Sequence, residues 1–245
     1  MSLPTRRERL RTATVSEIKD GARRLLVTGG PQAISLRAIA RDMGMTAPAI
    51  YRYFPSLEAL VRALAGDLYD ELRRVVEAAS AAAGDDPLDQ LAAMSRAFRH
   101  WSVAHPVEFA LIFGTPVPSM AAFLAEEIDE NHPGARFGAA FLRPVLELWR
   151  RAPFRTPPRE LLERRLAGQL EPLRRTLGEL PVEVAYTVLS GWTRLYGLVS
   201  MEVSNHLCWA VTEPAALFEI ELTGFLQQFA PAGEPGPTSG GPEAD

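Results

Sequence analysis

Cysteine is nearly absent. The single thiol, Cys208, excludes an intrachain disulfide and a multi-cysteine zinc site, and its place after a long apolar helix reads as burial. Lysine is equally scarce: Lys19 stands against 25 arginines, a bias that GC-rich coding produces, so an arginine is not functional by abundance alone. No stretch approaches roughly 18 uninterrupted apolar residues, so no membrane span or membrane partner is expected. The start MSLPTRRERLRTAT has no apolar core behind its charges, so it does not read as a secretory signal, and the cytoplasm is the expected compartment. No segment alternates with period two, which argues against sheet. Catalytic patterns are missing as well: there is no G-x-S-x-G, no phosphate-binding glycine loop and no H-E-x-x-H. His100, His105, His132 and His206 lack the spacing of a helical metal site, so neither a metal nor a cofactor is expected.

What is present is a chain with 47% hydrophobic and 23% charged residues, the balance of a globular protein with a real core. The net charge of −4 hides an asymmetry. Residues 1–60 hold ten basic and five acidic side chains, net +5, and the rest is net −9. A basic head on an acidic body points to a head that meets a polyanion. Apolar residues recur at spacings of three and four nearly everywhere, so the fold class is all-α. A flexible basic arm is expected over 1–13, with Thr14 and Glu17 as a capping box opening the first helix. Further helices are expected after Ser35, Thr46 and Ser56, the last a long one, and then from Pro87, over Val107–Phe113, and over Phe137–Ala152 with a kink at Pro144. Three more are expected over Leu161–Leu177, from Pro181 to about Leu207, and over Pro214–Phe229. Residues 231–245 lack packing groups and are expected to be disordered.

The most informative stretch is SLRAIARDMGMTAPAIYRYF, Ser35 to Phe54. Two short helices meet at Gly44, and their inward residues are spaced to pack on the first helix. That is a helix-turn-helix, whose second helix enters the DNA major groove. Its outer face offers Thr46, Ala47, Pro48, Ala49, Tyr51, Arg52 and Tyr53. The small residues permit close approach to base edges, and the tyrosines and arginine suit phosphates. Arg37 on the preceding helix and the arm residues Arg6, Arg7, Arg9 and Arg11 add positive charge. The alternative role for Tyr51 and Tyr53 is packing at the domain seam.

The run I-A-x-x-x-G-M-T-x-x-A-I-Y-R-Y-F-P-S-L-E-A-L, residues 39–60, resembles the DNA-binding domain of TetR-type transcriptional repressors. Gly44, Tyr51, Phe54, Ser56, Glu58 and Leu60 fall in place. Two positions depart: Leu57 replaces the usual lysine after the serine, and Ala49 replaces a small hydroxylated residue. HPVEFALIFGTPV and GWTRLYGLVSMEV resemble the C-terminal domain of a subgroup with a Trp-His-Gly signature; Trp192 and Gly197 fit, and Tyr196 stands where histidine is expected. The resemblance implies a helix-turn-helix domain over 14–60 and a ligand-binding, dimerising body over 61–230, joined by a long helix.

It also implies partners: double-stranded operator DNA, a small-molecule effector and a second copy of the chain. Candidate walls of an apolar effector pocket are Trp101, Phe109, Phe113, Met120, Phe141, Trp149 and Tyr196, each of which has plain core as its alternative. The acidic run Glu126, Glu127, Asp129 and Glu130 reads as a solvated helix face. Phe218, Leu222, Phe225 and Phe229 run at spacings of four, three and four, the rhythm of a helix seeking a partner helix, and are the expected dimer interface. The function expected is a ligand-responsive repressor. The alternative is an all-helical enzyme or carrier that shares only the N-terminal fold.

Overall fold

The computed structural model describes residues 5–114 and 131–229, and every regular element among them is helical. Eleven α-helices are described in chain order: α1 Arg6–Gly29, α2 Leu36–Asp42, α3 Ala47–Ile50, α4 Leu57–Ala82, α5 Pro87–Ala104, α6 Pro106–Phe113, α7 Pro133–Arg151, α8 Arg159–Arg165, α9 Glu171–Leu177, α10 Val182–Val203 and α11 Pro214–Gln227. Met120, the acidic run 126–130 and the tail 231–245 lie outside the described residues.

Local chemistry sets most boundaries. The Ser35 hydroxyl caps α2 by accepting from the Ala38 N–H, and Ser56 caps α4 through the Ala59 N–H. Gly44 turns the chain between α2 and α3 at φ 65°, a backbone conformation that favours glycine. Asp86 accepts from the Leu88 N–H at the start of α5. Asn205, at φ 57°, ends α10, and the His206 N–H returns to the Met201 carbonyl in a Schellman-type closure.

Three expectations need correction. The basic arm is helical from Arg6, because a T-x-x-E pattern also occurs nine residues ahead of Thr14–Glu17: Thr5 and Glu8 form the capping box. Thr14 lies mid-helix, and its hydroxyl donates to the Leu10 carbonyl. The segment 161–177 is two short helices rather than one, since Pro172 sits in the first turn of α9, where its missing N–H costs nothing. Cys208 is exposed, because α10 stops at Val203 and leaves it on the connection to α11. Pro144, by contrast, is accommodated inside a continuous α7.

The chain forms two compact units. The first holds the described residues within Met1–Val75 and Phe98–Phe137. Its head is built on Ile18, Ala22 and Leu26 of α1, Ile39 of α2, Ile50 of α3 and Leu60 of α4, all at most 1% exposed. Gly21 lets α1 approach α2: a Cβ there would stand 3.2 Å from Ile39 Cγ2. The same unit takes in the end of α5 and α6, where Phe98, Phe109, Phe113, Phe137 and Tyr69 form an aromatic cluster with ring centroids 5.1–6.4 Å apart. The Tyr69 hydroxyl donates to the Ile112 carbonyl at 2.8 Å.

The second unit holds the described residues within Val76–Ala97 and Gly138–Asp245. Leu91, Leu142, Val145, Leu148, Phe154, Val184 and Phe229 form its larger core, and Leu162, Leu170, Val182 and Ala185 a smaller one.

Candidate nucleic-acid interface

The helix-turn-helix presents its second helix as the sequence requires. Ile50 is buried and anchors α3, while Thr46, Ala47 and Pro48 are exposed at its start. The helix proper is one turn long. The chain then continues in tight turns, with the Arg52 N–H returning to Ala49 and the Tyr53 N–H to Ile50, and Phe54 drops into the core. Tyr51, 45% exposed, and Arg52 project outward, and Arg37 of α2 is exposed. Ala49 and Tyr53 are half-buried. Tyr53 has a partner that motif reading missed: the Arg11 guanidinium lies 5.4 Å from its ring centroid. At the start of α4, Glu58 is held below the ordinary carboxylate value by its own backbone N–H and by Ser56.

Behind the head lies a polar junction within the same unit. Arg23 of α1 reaches Glu71 of α4 at 2.6 Å and Glu108 of α6 at 3.2 Å. The Trp101 indole N–H donates to Glu71 at 2.9 Å, and the Trp101 ring stacks on His105. Glu108 is 5% exposed, so its charge depends on Arg23 for compensation. Burial works to raise the Glu71 carboxyl, but hydrogen bonds from Arg23 and Trp101, with the Arg23 and His105 charges, outweigh it and hold the group below its ordinary value. Arg23 is correspondingly raised, first by its hydrogen bond to Glu71. Sequence spacing carries no signal for this junction, because the hydrogen bonds to Arg23 and Glu71 that close it join residues 30 to 85 apart.

This junction sets a pH dependence. A carboxyl whose folded pKa is depressed contributes stability that is fully present above its unfolded value, near 4.5, and is lost as pH falls through the folded value. The stability of the wild type in urea unfolding should therefore fall progressively below about pH 4.5. Glu71→Gln should flatten that part of the profile and lower stability at neutral pH. An unchanged slope in the variant would remove Glu71 from the account.

The remaining sequence-derived residues divide between the two units. Trp101, Phe109 and Phe113 belong to the first, where Trp101 and Phe109 are buried. Phe141 and Trp149 flank the larger core of the second unit, and Tyr196 stacks on Trp192 at 5.6 Å. The expected dimer stripe runs along α11 to Phe229. Phe218, Leu222 and Phe229 are buried by the chain itself, with Phe229 edge-on to Phe154 at 4.9 Å. Phe225 lies over Gly191, where a Cβ would come within 2.6 Å of its ring. A period that fits a partner helix fits the chain's own core equally well. Around the last two helices, Met201, Trp209 and Ile220 are exposed, at 43%, 86% and 68%; Leu10, Val27, Val103 and Leu161 are exposed elsewhere among the described residues. Among the described residues no helix is long and apolar enough to cross a membrane, and no His, Cys, Asp and Glu group is placed to hold a metal.

An all-helical chain with a short, outward-facing second helix after a glycine turn is a helix-turn-helix regulator in class. Comparison with known proteins narrows this. Residues 18–64 match the bacterial regulatory proteins of the tetR family, and residues 91–225 match the tetracyclin repressor-like C-terminal domain. The crystal structure of the protein SCO4313 aligns with TM-score 0.69 and 31% identity, covering 91% of this chain and 99% of that one. RolR, solved with resorcinol, shares the fold at TM-score 0.51 and 15% identity, covering 91% of each chain. The HTH-type transcriptional regulator Rv1816 of Mycobacterium tuberculosis is 39% identical over 108 residues, 44% of this chain and 46% of that protein. The alignment thus spans about half the length of the curated relatives it matches. The chain belongs to the TetR family of bacterial transcriptional regulators.

Proposed function

We propose that this regulator is a repressor that binds a palindromic operator as a homodimer and is released by a small, largely apolar molecule. The observation that carries the DNA reading is the outward row on α3. Thr46, Ala47 and Pro48 are small and exposed, and Tyr51 and Arg52 project from the tight turns that follow α3. That is the combination a groove-reading helix needs: close approach at its start and phosphate-binding groups at its end. Arg37, Ala49 and Tyr53 complete the contact set. The working regions are 14–60 for DNA and 61–230 for effector and dimer, in the cytoplasm.

The same compact unit supports a short route from effector to DNA. The aromatic cluster of Phe98, Phe109, Phe113 and Phe137 offers apolar walls, and α6 meets α1 through the Glu108–Arg23 pair. An effector that favours a rearranged cluster would shift α6, and Arg23 would carry the shift to α1. Such coupling works only through different affinities for the two states, and it is reciprocal. RolR, which shares this fold, is solved with the small aromatic resorcinol. A second copy is the partner supported by Met201, Trp209 and Ile220, which leave apolar surface in water around the last two helices.

The test is a gel shift with DNA from upstream of the protein's own gene. Tyr51→Ala should weaken binding by about 1–3 kcal/mol without lowering the melting temperature. Wild-type affinity in that variant would move recognition off α3. A panel of apolar aromatic compounds, scored for DNA release, tests the effector class.

A further inference from the structure

The family match to the DNA-binding domain starts at residue 18, yet α1 starts at Arg6. Twelve helical residues therefore precede the matched domain, and they are arranged in register with it. Ile18 is fully buried in the head. Stepping back along the helix by four, three and four residues gives Thr14, Arg11 and Arg7. At 100° per residue these lie within about 40° of the Ile18 direction. The core-facing stripe of α1 thus continues past the head as a stripe that is half-buried at Thr14 and then arginine, with Arg7 and Arg11 exposed. Arg9 points the opposite way, about 180° from Ile18.

Two contacts fix this extension. The Thr5–Glu8 box closes its first turn, with the Glu8 N–H to Thr5 Oγ1 at 3.2 Å and the Thr5 N–H to Glu8 Oε2 at 2.7 Å. Arg11 lies over the ring of Tyr53, at the end of the recognition element. Short helices projecting into water fray unless held; this one is held at both ends. The Tyr53 contact also places Arg11 beside the outward row of α3, and Arg7 stands one turn further along the same face.

We propose that residues 6–14 are a rigid phosphate clamp, in which the helix carries Arg7 and Arg11 to the DNA backbone beside the groove that α3 enters. The inference rests on the DNA-binding reading and adds a contact outside the matched domain. Arg11 has two parts in it: it meets a phosphate, and its stacking on Tyr53 aligns the extension.

The experiment uses the full chain and a duplex selected by the wild-type protein from random sequence. It reads the salt dependence of binding and hydroxyl-radical protection of the backbone. Each phosphate contact contributes about 0.9 to the slope of log affinity against log salt. In a two-fold complex, Arg7→Ala and Arg11→Ala should each lower that slope by about 2 and erase the outermost protected positions while leaving the central ones. Arg9→Ala removes the same charge from the opposite face and should lower the slope by less than half as much as Arg7→Ala, with the footprint unchanged. Thr12→Pro keeps every arginine but breaks the helix ahead of the head, and should match the combined loss of Arg7 and Arg11. An Arg9 effect equal to that of Arg7 would mean a diffuse field and overturn the clamp. So would a Thr12→Pro protein with wild-type slope, because the arginines would then act as a flexible arm. A wild-type protein that selects no sequence would overturn the DNA reading itself and the clamp with it. Thermal melts by circular dichroism establish that each variant retains its fold. If Thr12→Pro lowers the melting temperature, Arg7, Arg9 and Arg11 decide the outcome.

Discussion

A Phe98→Ala protein is expected to lose about 3–5 kcal/mol of stability. Phe98 is fully buried, and its ring sits 5.8 Å from those of Phe113 and Phe137 and 6.2 Å from that of Phe109. Removing it forfeits the transfer energy of a large aromatic side chain and opens a cavity. Neighbouring rings are rigid plates with few rotamers, so they cannot flow into the space as methionine would. The site lies in the unit that also contains the DNA-binding head, so the loss should reach operator binding. In a chain of this length the deficit corresponds to roughly 10 °C in melting temperature. Phe98→Leu, which refills part of the volume, should cost about half as much. Urea unfolding monitored by tryptophan fluorescence measures both. A Phe98→Ala loss below about 1 kcal/mol would mean that the cluster relaxes freely and is not a packed core.

The parts of this molecule that were legible in sequence are those governed by neighbours in sequence. The Ser35 and Ser56 caps, the Gly44 turn and the buried Ile39 and Ile50 follow from spacing and side-chain chemistry within a few residues. The outward row on α3 follows in turn, because fixing the inward residues of a short helix fixes the outward ones. The start of α1 differs from the sequence expectation for the same local reason. Thr5–Glu8 and Thr14–Glu17 carry one pattern, and composition alone does not choose between them. What was not legible depends on long-range packing. Arg23, Glu71, Trp101 and Glu108 meet through four helices, and no spacing announces the meeting. The burial of Phe218 and Leu222 is of that kind too. An apolar stripe states that something must cover it, and only the tertiary fold states what.

That distinction yields opposite expectations for two neighbouring positions on α11. Phe225→Glu should unfold or severely destabilise the second unit, by about 3 kcal/mol or more. Its ring lies over the backbone of α10 at Gly191 and edge-on to Phe229 at 5.5 Å, and the Arg194 guanidinium approaches its face at 5.8 Å. A glutamate there loses those contacts and brings a charge against an apolar core; Arg194 offers only partial compensation, because it is itself exposed. Ile220, five residues earlier, is 68% exposed, so Ile220→Glu should leave the monomer fold and its melting curve intact. If the exposed face of α11 joins two copies, that substitution sets two like charges near a two-fold axis and should split the dimer. Operator affinity should then fall by at least tenfold, because each head reads only half a site. Light scattering at micromolar concentration, with melting curves for both variants, separates the cases. A dimeric, fully active Ile220→Glu protein would move the interface to Met201 and Trp209. A Phe225→Glu protein that stayed folded and became monomeric would return the stripe Phe218, Leu222, Phe225 and Phe229 to the interface.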